Sequence, residues 1–413
     1  MPNEIAERLH ASLAVEEAEL AARIGRYPYF HRVEGPTEPL TQIEGRTLIN
    51  LGSNNYLGLT TDPAVVEASR QAISRWGTGV TGSRLLNGSL ELHRQLEEHL
   101  AGFYGREAAL VFPTGYSANL GLLSGVLGEG DSAFLDGDAH ASLIDGVRLA
   151  RARWKRIEHN NVTRLGEALE RSAGTPTAVV VEGVYSMRGD LAALREIAAL
   201  RKDFGFFLID DEAHGLGTIG RKGLGAAELL ASSSEVDAIS LTFSKSLASC
   251  GGAVVGDRQL IEALKVTARP FLFTASNTPG SLAAALAALD LLQRRPQMVA
   301  ELRGRTDFFR HALTTLGVPT GAGESPIVTV PVGSDFRVMQ AWRMLWNRHV
   351  FCNCIVSPAV PRGKGLLRFS VMRTHSEEHL ARAAEACGAL IPLLKGEADE
   401  DAQASLGERV KEG

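Results

Sequence analysis

The sequence predicts an α/β fold: a large domain on a mostly parallel central sheet, then a smaller α+β C-terminal domain. Three observations predict it. Thr177–Glu182 (TAVVVE), residues 206–210 (FFLID) and Ala238–Thr242 (AISLT) are short, nearly continuous apolar runs. Strands buried on both faces of a parallel sheet have this pattern. A helical pattern over 191–204 separates the first two, and parallel neighbours need such a crossover. After about residue 293 the rhythm changes, with helices at 298–316 and 336–348 alternating with strands at 326–332 and 366–371.

The other elements follow in order. Residues 1–30 read as an amphipathic helix marked by Ile5, Leu9, Leu13, Leu20 and Ile24. Residues 31–60 read as irregular and extended, broken at Gly35-Pro36-Thr37, with a short strand at 47–51. Asp62 caps and Pro63 opens a helix over Pro63–Trp76, because proline at the first helical position loses no bond. A second helix covers 90–104. The apolar run Ala108–Phe112 leads through a loop to a helix at 118–127. A strand at 132–135, a helix at 142–150 and a brief strand at 156–158 precede the loop His159-Asn160-Asn161. The charged tail from Lys395 is expected to fray. The expected organisation is an N-terminal helix and extended segment (1–60), a large domain (61–293), a C-terminal α+β domain (294–395) and a charged tail (396–413).

Composition narrows the function. The 413 residues carry 43 Lys+Arg against 48 Asp+Glu, a net charge of −5, which gives no broad basic field for nucleic acid. No stretch has the length or apolarity of a membrane span, and the N-terminus lacks the order of a signal peptide. The four cysteines, Cys250, Cys352, Cys354 and Cys387, form no disulfide framework and read as core or near-core thiols of a cytoplasmic protein.

Three motifs mislead. Gly77-x-Gly79-x-x-Gly82 spells a dinucleotide fingerprint, but a helix rather than a strand precedes it. Asp211-Glu212-Ala213-His214 spells a helicase-like tetrad, but no phosphate-binding Gly-x-x-x-x-Gly-Lys-Ser/Thr loop accompanies it. His93 and His99 share one helix without a third ligand and read as a solvated face.

A different set of residues carries chemistry. In parallel α/β sheets ligands bind at the carboxyl ends of strands. Asp211 and His214 follow the strand at 206–210, and Thr242-Phe243-Ser244-Lys245 ends the strand Ala238–Thr242. His140 follows the strand at 132–135, and Ser186 follows TAVVVE. Pro113-Thr114-Gly115-Tyr116-Ser117 lies between a strand and a helix, where backbone N–H groups and the helix dipole favour an anion. Ionic scaffolding would use some of these groups. A phosphate, a pyridinium nitrogen and an aldehyde would use all of them, and pyridoxal 5'-phosphate combines the three. Its aldehyde needs a lysine, Lys245, and its ring nitrogen an acid, Asp211.

The chain resembles the α-oxoamine synthase family, pyridoxal-phosphate enzymes of fold type I. The resemblance rests on Asn54-Asn55-Tyr56-Leu57-Gly58-Leu59, Gly77-Thr78-Gly79 to Ser83-Arg84, Thr114-Gly115-Tyr116, Asp138-Ala139-His140-Ala141-Ser142, Asp211-Glu212-Ala213-His214-Gly215 and Thr242-Phe243-Ser244-Lys245. It runs from about residue 26 to 385. GTGVTGSRLLNG (77–88), EGVYSMRGD (182–190), RPFLFTAS (269–276) and LLRFS (366–370) resemble the branch that condenses L-serine with long-chain acyl-CoA. Ala248-Ser249-Cys250-Gly251-Gly252 departs from the family's usual wording.

The resemblance implies roles. Lys245 would hold the cofactor and move the substrate Cα proton, and Asp211 would pair with the ring nitrogen. His140 would stack on the ring, and His214 and Ser186 would approach its hydroxyl. Gly115, Tyr116, Thr242 and Ser244 would hold the phosphate, with Thr274 reaching it from a neighbouring subunit. Arg368 would engage the substrate carboxylate, Asn54 would sit near it, and Arg26 would be a further substrate-binding residue. No metal is implied. The implied reaction is a decarboxylating condensation of an amino acid, L-serine foremost, with acyl-CoA, in a homodimer whose active site lies between subunits. Glycine or alanine, a carrier-protein thioester, and a non-catalytic homologous subunit stay open as alternatives. Any membrane contact would be peripheral, through the N-terminal helix.

Overall fold

The computed structural model describes residues 27–229 and 235–396. Of the helix expected over 1–30, positions 1–26, Arg26 among them, lie outside these residues, as does the tail from 397, while the described positions 27–30 are not helical. Thirteen strands are found among the described residues: β1 (Leu40–Ile43), β2 (Arg46–Asn50), β3 (Ala108–Phe112), β4 (Ser132–Asp136), β5 (Arg153–Ile157), β6 (Thr177–Glu182), β7 (Phe207–Asp211), β8 (Ala238–Thr242), β9 (Gly252–Gly256), β10 (Ile327–Gly333), β11 (Val350–Phe351), β12 (Asn353–Ile355) and β13 (Gly365–Ser370).

The central sheet has seven strands in the order β3-β9-β8-β7-β6-β4-β5. Parallel pairing joins β8, β7, β6, β4 and β5. β9 is antiparallel to both β8 and β3, so β3 runs in the same direction as β8. Six strands therefore deliver their carboxyl ends to one edge. The sequence reading missed β9, since GAVVG is short and half glycine-flanked.

Side-chain alternation along these strands fills two cores. Leu110, Phe112, Leu135, Val180, Ile209 and Val254 pack on one face beneath the helices Gly115–Val126, Ala141–Ala150 and Arg258–Thr267. Val111, Val179, Val181, Leu208, Leu241 and Val255 pack on the other, with the helices Glu91–Tyr104 and Pro279–Arg294. Each fully buried aliphatic side chain contributes about 1.5–3 kcal/mol of transfer free energy, so both faces hold the sheet.

The expected helix Pro63–Trp76 is present, and the Asp62 side chain accepts from the Ala64 N–H. The strand expected at 156–158 is longer, spanning Arg153–Ile157. Its exposed Arg153 and Lys155 hid it, because β5 is an edge strand with a wet face. The helix expected at 118–127 begins three residues earlier, at Gly115. Thr114 caps it by accepting from the Ser117 N–H, so the polar residues read as loop form its first turn.

The 31–60 segment forms β1 and β2, and β2 pairs in parallel with β11. β10, β13 and β12 form a third, antiparallel sheet. The His93 reading is corrected: its side chain is buried, accepts from the Leu90 N–H and meets Ser276 Oγ at 3.0 Å. Cys250 is exposed rather than near-core, while the other three cysteines are buried.

Candidate active site

The shared strand edge gathers most of the expected residues. Thr114, two residues past β3, caps the helix Gly115–Val126. A Cβ at Gly115 would lie 2.7 Å from Thr242 Cβ, and one at Gly252 would lie 2.6 Å from Gly115 Cα. Only glycine at both positions lets the first helical turn approach the ends of β8 and β9. The Thr242 and Ser244 hydroxyls meet at 2.9 Å beside that turn. Ser244 is exposed and Tyr116 partly so. First-turn N–H groups and two hydroxyls thus stand together at a helix N-terminus.

Asp211 is buried at the end of β7. One oxygen accepts from the Ala213 N–H at 2.8 Å and the other from Asn119 Nδ2 at 2.6 Å. Asn119 Nδ2 also donates to Ser142 Oγ at 2.9 Å. That hydroxyl lies 2.8 Å from His140 Nδ1, which also accepts from the Ser142 N–H. With Nδ1 accepting, Nε2 carries the imidazole proton. Burial lowers the His140 pKa, Lys245 adds to this and Asp211 opposes it, so the ring is neutral. The Tyr116 ring meets it edge-on at 6.4 Å.

Lys245 follows β8 on a half-buried turn. Burial pushes its ammonium down to about 8, Asp211 and Glu182 oppose this, and Arg368 reinforces it. Its amine has no hydrogen-bond partner among the described residues. Glu182, buried at the end of β6, accepts from the His140 N–H. Burial and the neighbouring Asp211 hold Glu182 well above the usual carboxyl range.

A second group is built across the chain. Arg368 on β13 is buried. Its Nε donates to the Ser186 carbonyl at 2.6 Å, and both terminal nitrogens donate to Asn54 Oδ1 at 3.2 Å. Nη2 also reaches Tyr56 Oη at 3.3 Å. No carboxylate pairs with this guanidinium among the described residues. Tyr56 Oη lies 2.8 Å from His214 Nδ1. Burial holds His214 well below its usual pKa, and Lys245, Arg368 and His140 add to this.

Lys245, Asp211, His140 and His214 therefore share one electrostatic neighbourhood, with Arg368, Asn54 and Ser186 beside them. Gly115, Tyr116, Thr242 and Ser244 border it. Thr274 stands apart, in the loop before the helix Pro279–Arg294, and its hydroxyl makes no hydrogen bond among the described residues. Sequence reasoning assigned no role to Asn119, Ser142, Tyr56 or Glu182. Asn119 left a signal, an amide on the apolar face of Ala118–Leu123. Tyr56 lay inside a quoted motif.

Comparison with known proteins gives this edge its context. Residues 46–387 match the family "Aminotransferase class I and II". A serine palmitoyltransferase of Caulobacter vibrioides is 42% identical over 362 residues, covering 86% of this chain and 89% of its own. An 8-amino-7-oxononanoate synthase of Geobacter metallireducens is 41% identical over 373 residues, covering 89% of this chain and 95% of its own. A solved serine palmitoyltransferase structure with PLP as internal aldimine superposes with a TM-score of 0.91 at 32% identity, over 95% of this chain and all of that one. The chain belongs to the aminotransferase class I and II family, whose members depend on pyridoxal phosphate, and within it to the α-oxoamine synthases.

Proposed function

We propose that this chain binds pyridoxal phosphate on Lys245 and condenses L-serine with a long-chain acyl-CoA, releasing carbon dioxide and the thiol to give an α-amino ketone. With a palmitoyl group the product is 3-ketosphinganine. The observation that carries the reading is Arg368. A buried guanidinium without a counter-ion is costly, and a substrate carboxylate matches its planar fork. That charge lies in the same neighbourhood as the unpartnered Lys245 amine.

The residues fit the cofactor. The glycine-lined first turn at Gly115 and Tyr116, with Thr242 and Ser244, suits a phosphate. Asp211, held by Asn119 and the Ala213 N–H, suits a protonated ring nitrogen. Lys245, with its lowered pKa, supplies an amine that deprotonates readily.

Held by these residues, the cofactor would supply an electron sink for the amino-acid Cα. The chain's residues do the rest. Arg368, with Asn54, grips the carboxylate and sets the substrate's orientation. Lys245 Nζ removes the Cα proton and returns one after decarboxylation. His140, neutral with its proton on Nε2, orients the ring and the substrate. His214, held neutral, donates or accepts without adding charge beside Arg368. Ser186, its hydroxyl unengaged by the described protein, is placed to meet the ring hydroxyl.

We read the enzyme as a cytoplasmic homodimer whose Thr274 reaches the partner's phosphate site. In support, Leu85, Leu86 and Phe273 are exposed on two loops tied together by the Ser276 N–H to the Gly82 carbonyl at 2.9 Å. No helix among the described residues is long and apolar enough to cross a membrane.

The test is the visible absorption of purified protein loaded with pyridoxal phosphate, titrated with L-serine, glycine and L-alanine. A band shifted saturably by serine alone is expected, with thiol release from palmitoyl-CoA. A better response to glycine or alanine, or turnover only with a carrier-protein thioester, replaces the substrates, and the near-equal identities to two kinds of synthase make this arm informative. No band sinks the cofactor assignment and reopens a non-catalytic subunit.

A further inference from the structure

We propose that His159 is a positioning residue for the reaction, an imidazole staple between the loop that carries His140 and the turn that carries Ser186. The inference rests on the reading above that these two elements face the amino acid.

His159 follows β5, at the edge of the sheet. Its Nδ1 lies 2.9 Å from Asp136 Oδ1 at the end of β4. Its Nε2 lies 2.9 Å from Asp190 Oδ2 beyond β6. Asp138 Oδ2 is 3.8 Å from Nδ1 and is also engaged by Arg188. The ring stands edge-on to Tyr185, 4.5 Å between centroids. An ionised carboxylate only accepts, so both ring nitrogens must donate, and the side chain is an imidazolium. Burial opposes that charge, but the hydrogen bonds to Asp136 and Asp190 prevail and raise the pKa to about 10.

Asn160 stitches the same segments. Its N–H donates to Asp136 Oδ2 at 2.8 Å, its amide donates to the Leu191 carbonyl at 2.8 Å, and its Oδ1 accepts from the Ala193 N–H at 3.0 Å. On one side Asp136 accepts the Asp138 N–H at 2.8 Å, and its carbonyl accepts the Ala139 N–H at 3.1 Å, fixing the chain into His140. On the other, Tyr185 N–H to the Asp190 carbonyl at 3.0 Å and Gly189 N–H to the Tyr185 carbonyl at 2.8 Å close a turn around Ser186. The Ser186 carbonyl accepts from Arg368 Nε. One imidazolium thus sets the position of His140 and, through Ser186, of the guanidinium.

Without His159, Asp136 and Asp190 would face each other, and like charges would part the loops. The test uses the full chain with His159→Gln and, separately, Asp190→Asn. Two readouts are combined: the amino-acid dissociation constant from the visible titration with the KM-against-kcat split, and hydrogen exchange in cofactor-free protein. For His159→Gln we expect the dissociation constant and KM to rise about tenfold, as losing a charged hydrogen bond implies, with kcat changed less. Exchange should quicken in 137–142, 158–161 and 183–193 alone. Asp190→Asn should quicken 183–193 only and weaken amino-acid binding less. It leaves the His159–Asp136 pair intact and carries the test should His159→Gln not fold. Unchanged binding, or faster exchange spread over the whole chain with kcat and KM falling together, overturns the proposal. A wild-type protein without a visible band signals instead that the cofactor reading has failed.

Discussion

The two ends of the candidate site are built on opposite principles. The proposed phosphate end, Gly115, Tyr116, Thr242 and Ser244, is neutral, partly exposed and drawn from two short segments that β9 brings together. The proposed carboxylate end centres on buried Arg368, Tyr56 and His214 with half-buried Asn54, carries a charge, and its hydrogen bonds join residues 314 and 158 positions apart. Many weak donors near water share a load, so losing one costs little. A single buried charge concentrates the load, and its loss leaves neighbours arranged around nothing. Specificity for the amino acid should therefore reside at the buried end and cofactor retention be distributed over the open one.

The largest effect should arise between the ends. Lys245→Ala should lower turnover by about 10³-fold or more, the scale of losing a group that acts in covalent chemistry, measured as thiol release with the fold verified by circular dichroism. Residual turnover within tenfold of wild type would contradict its role.

Arg368→Lys keeps the charge and loses the fork. We expect the amino-acid KM to rise by about 10–100-fold, the equivalent of about 1.5–3 kcal/mol for charge-assisted bonds, with cofactor affinity unchanged by fluorescence titration. Equal losses in cofactor and amino-acid binding would erase the distinction between the two ends.

The His159 staple predicts a pH signature. Its folded pKa, about 10, lies above the ordinary 6.5. The stability it confers is therefore full below about pH 6.5 and is lost as pH rises towards 10. The denaturant-midpoint gap between wild type and His159→Gln should be widest near pH 6 and shrink through pH 8 to 10. A gap that widens over that range would refute a charged His159.

The smallest effect belongs to the open end. Ser244→Ala removes one exposed hydroxyl, and cofactor affinity should fall by about two- to tenfold, matching about 0.5–1.5 kcal/mol for a neutral hydrogen bond. A loss above a hundredfold would mean that this end, too, is concentrated in a single group.

The proposed phosphate end could be read along the chain because each of its two segments is contiguous, one a strand, a glycine turn and a helix start at Ala108 to Ser117, the other the end of β8 with Ser244. Even there the helix start was placed late, since Thr114 and Ser117 satisfy each other's backbone as a cap and look like loop. Asp211, His214 and Lys245 were legible as polar residues ending apolar strands. Asn119, which holds Asp211, lay 92 positions away from it. His93 was misread because its burial comes from the distant Ser276 and the loop at Gly88, not from its own helix.

The sequence by itself determined the parallel strands, their order of appearance, the cap at Asp62 and the chemical types gathered at the strand ends, because hydrophobic period and turn chemistry act over a few residues. The tertiary structure alone decided that β9 runs antiparallel between β3 and β8, that Arg368 lies buried against Asn54 without a counter-ion, and that His159 bridges two acids. These depend on contacts between segments far apart in the chain, where burial and pairing set both the charge state and the position of each group.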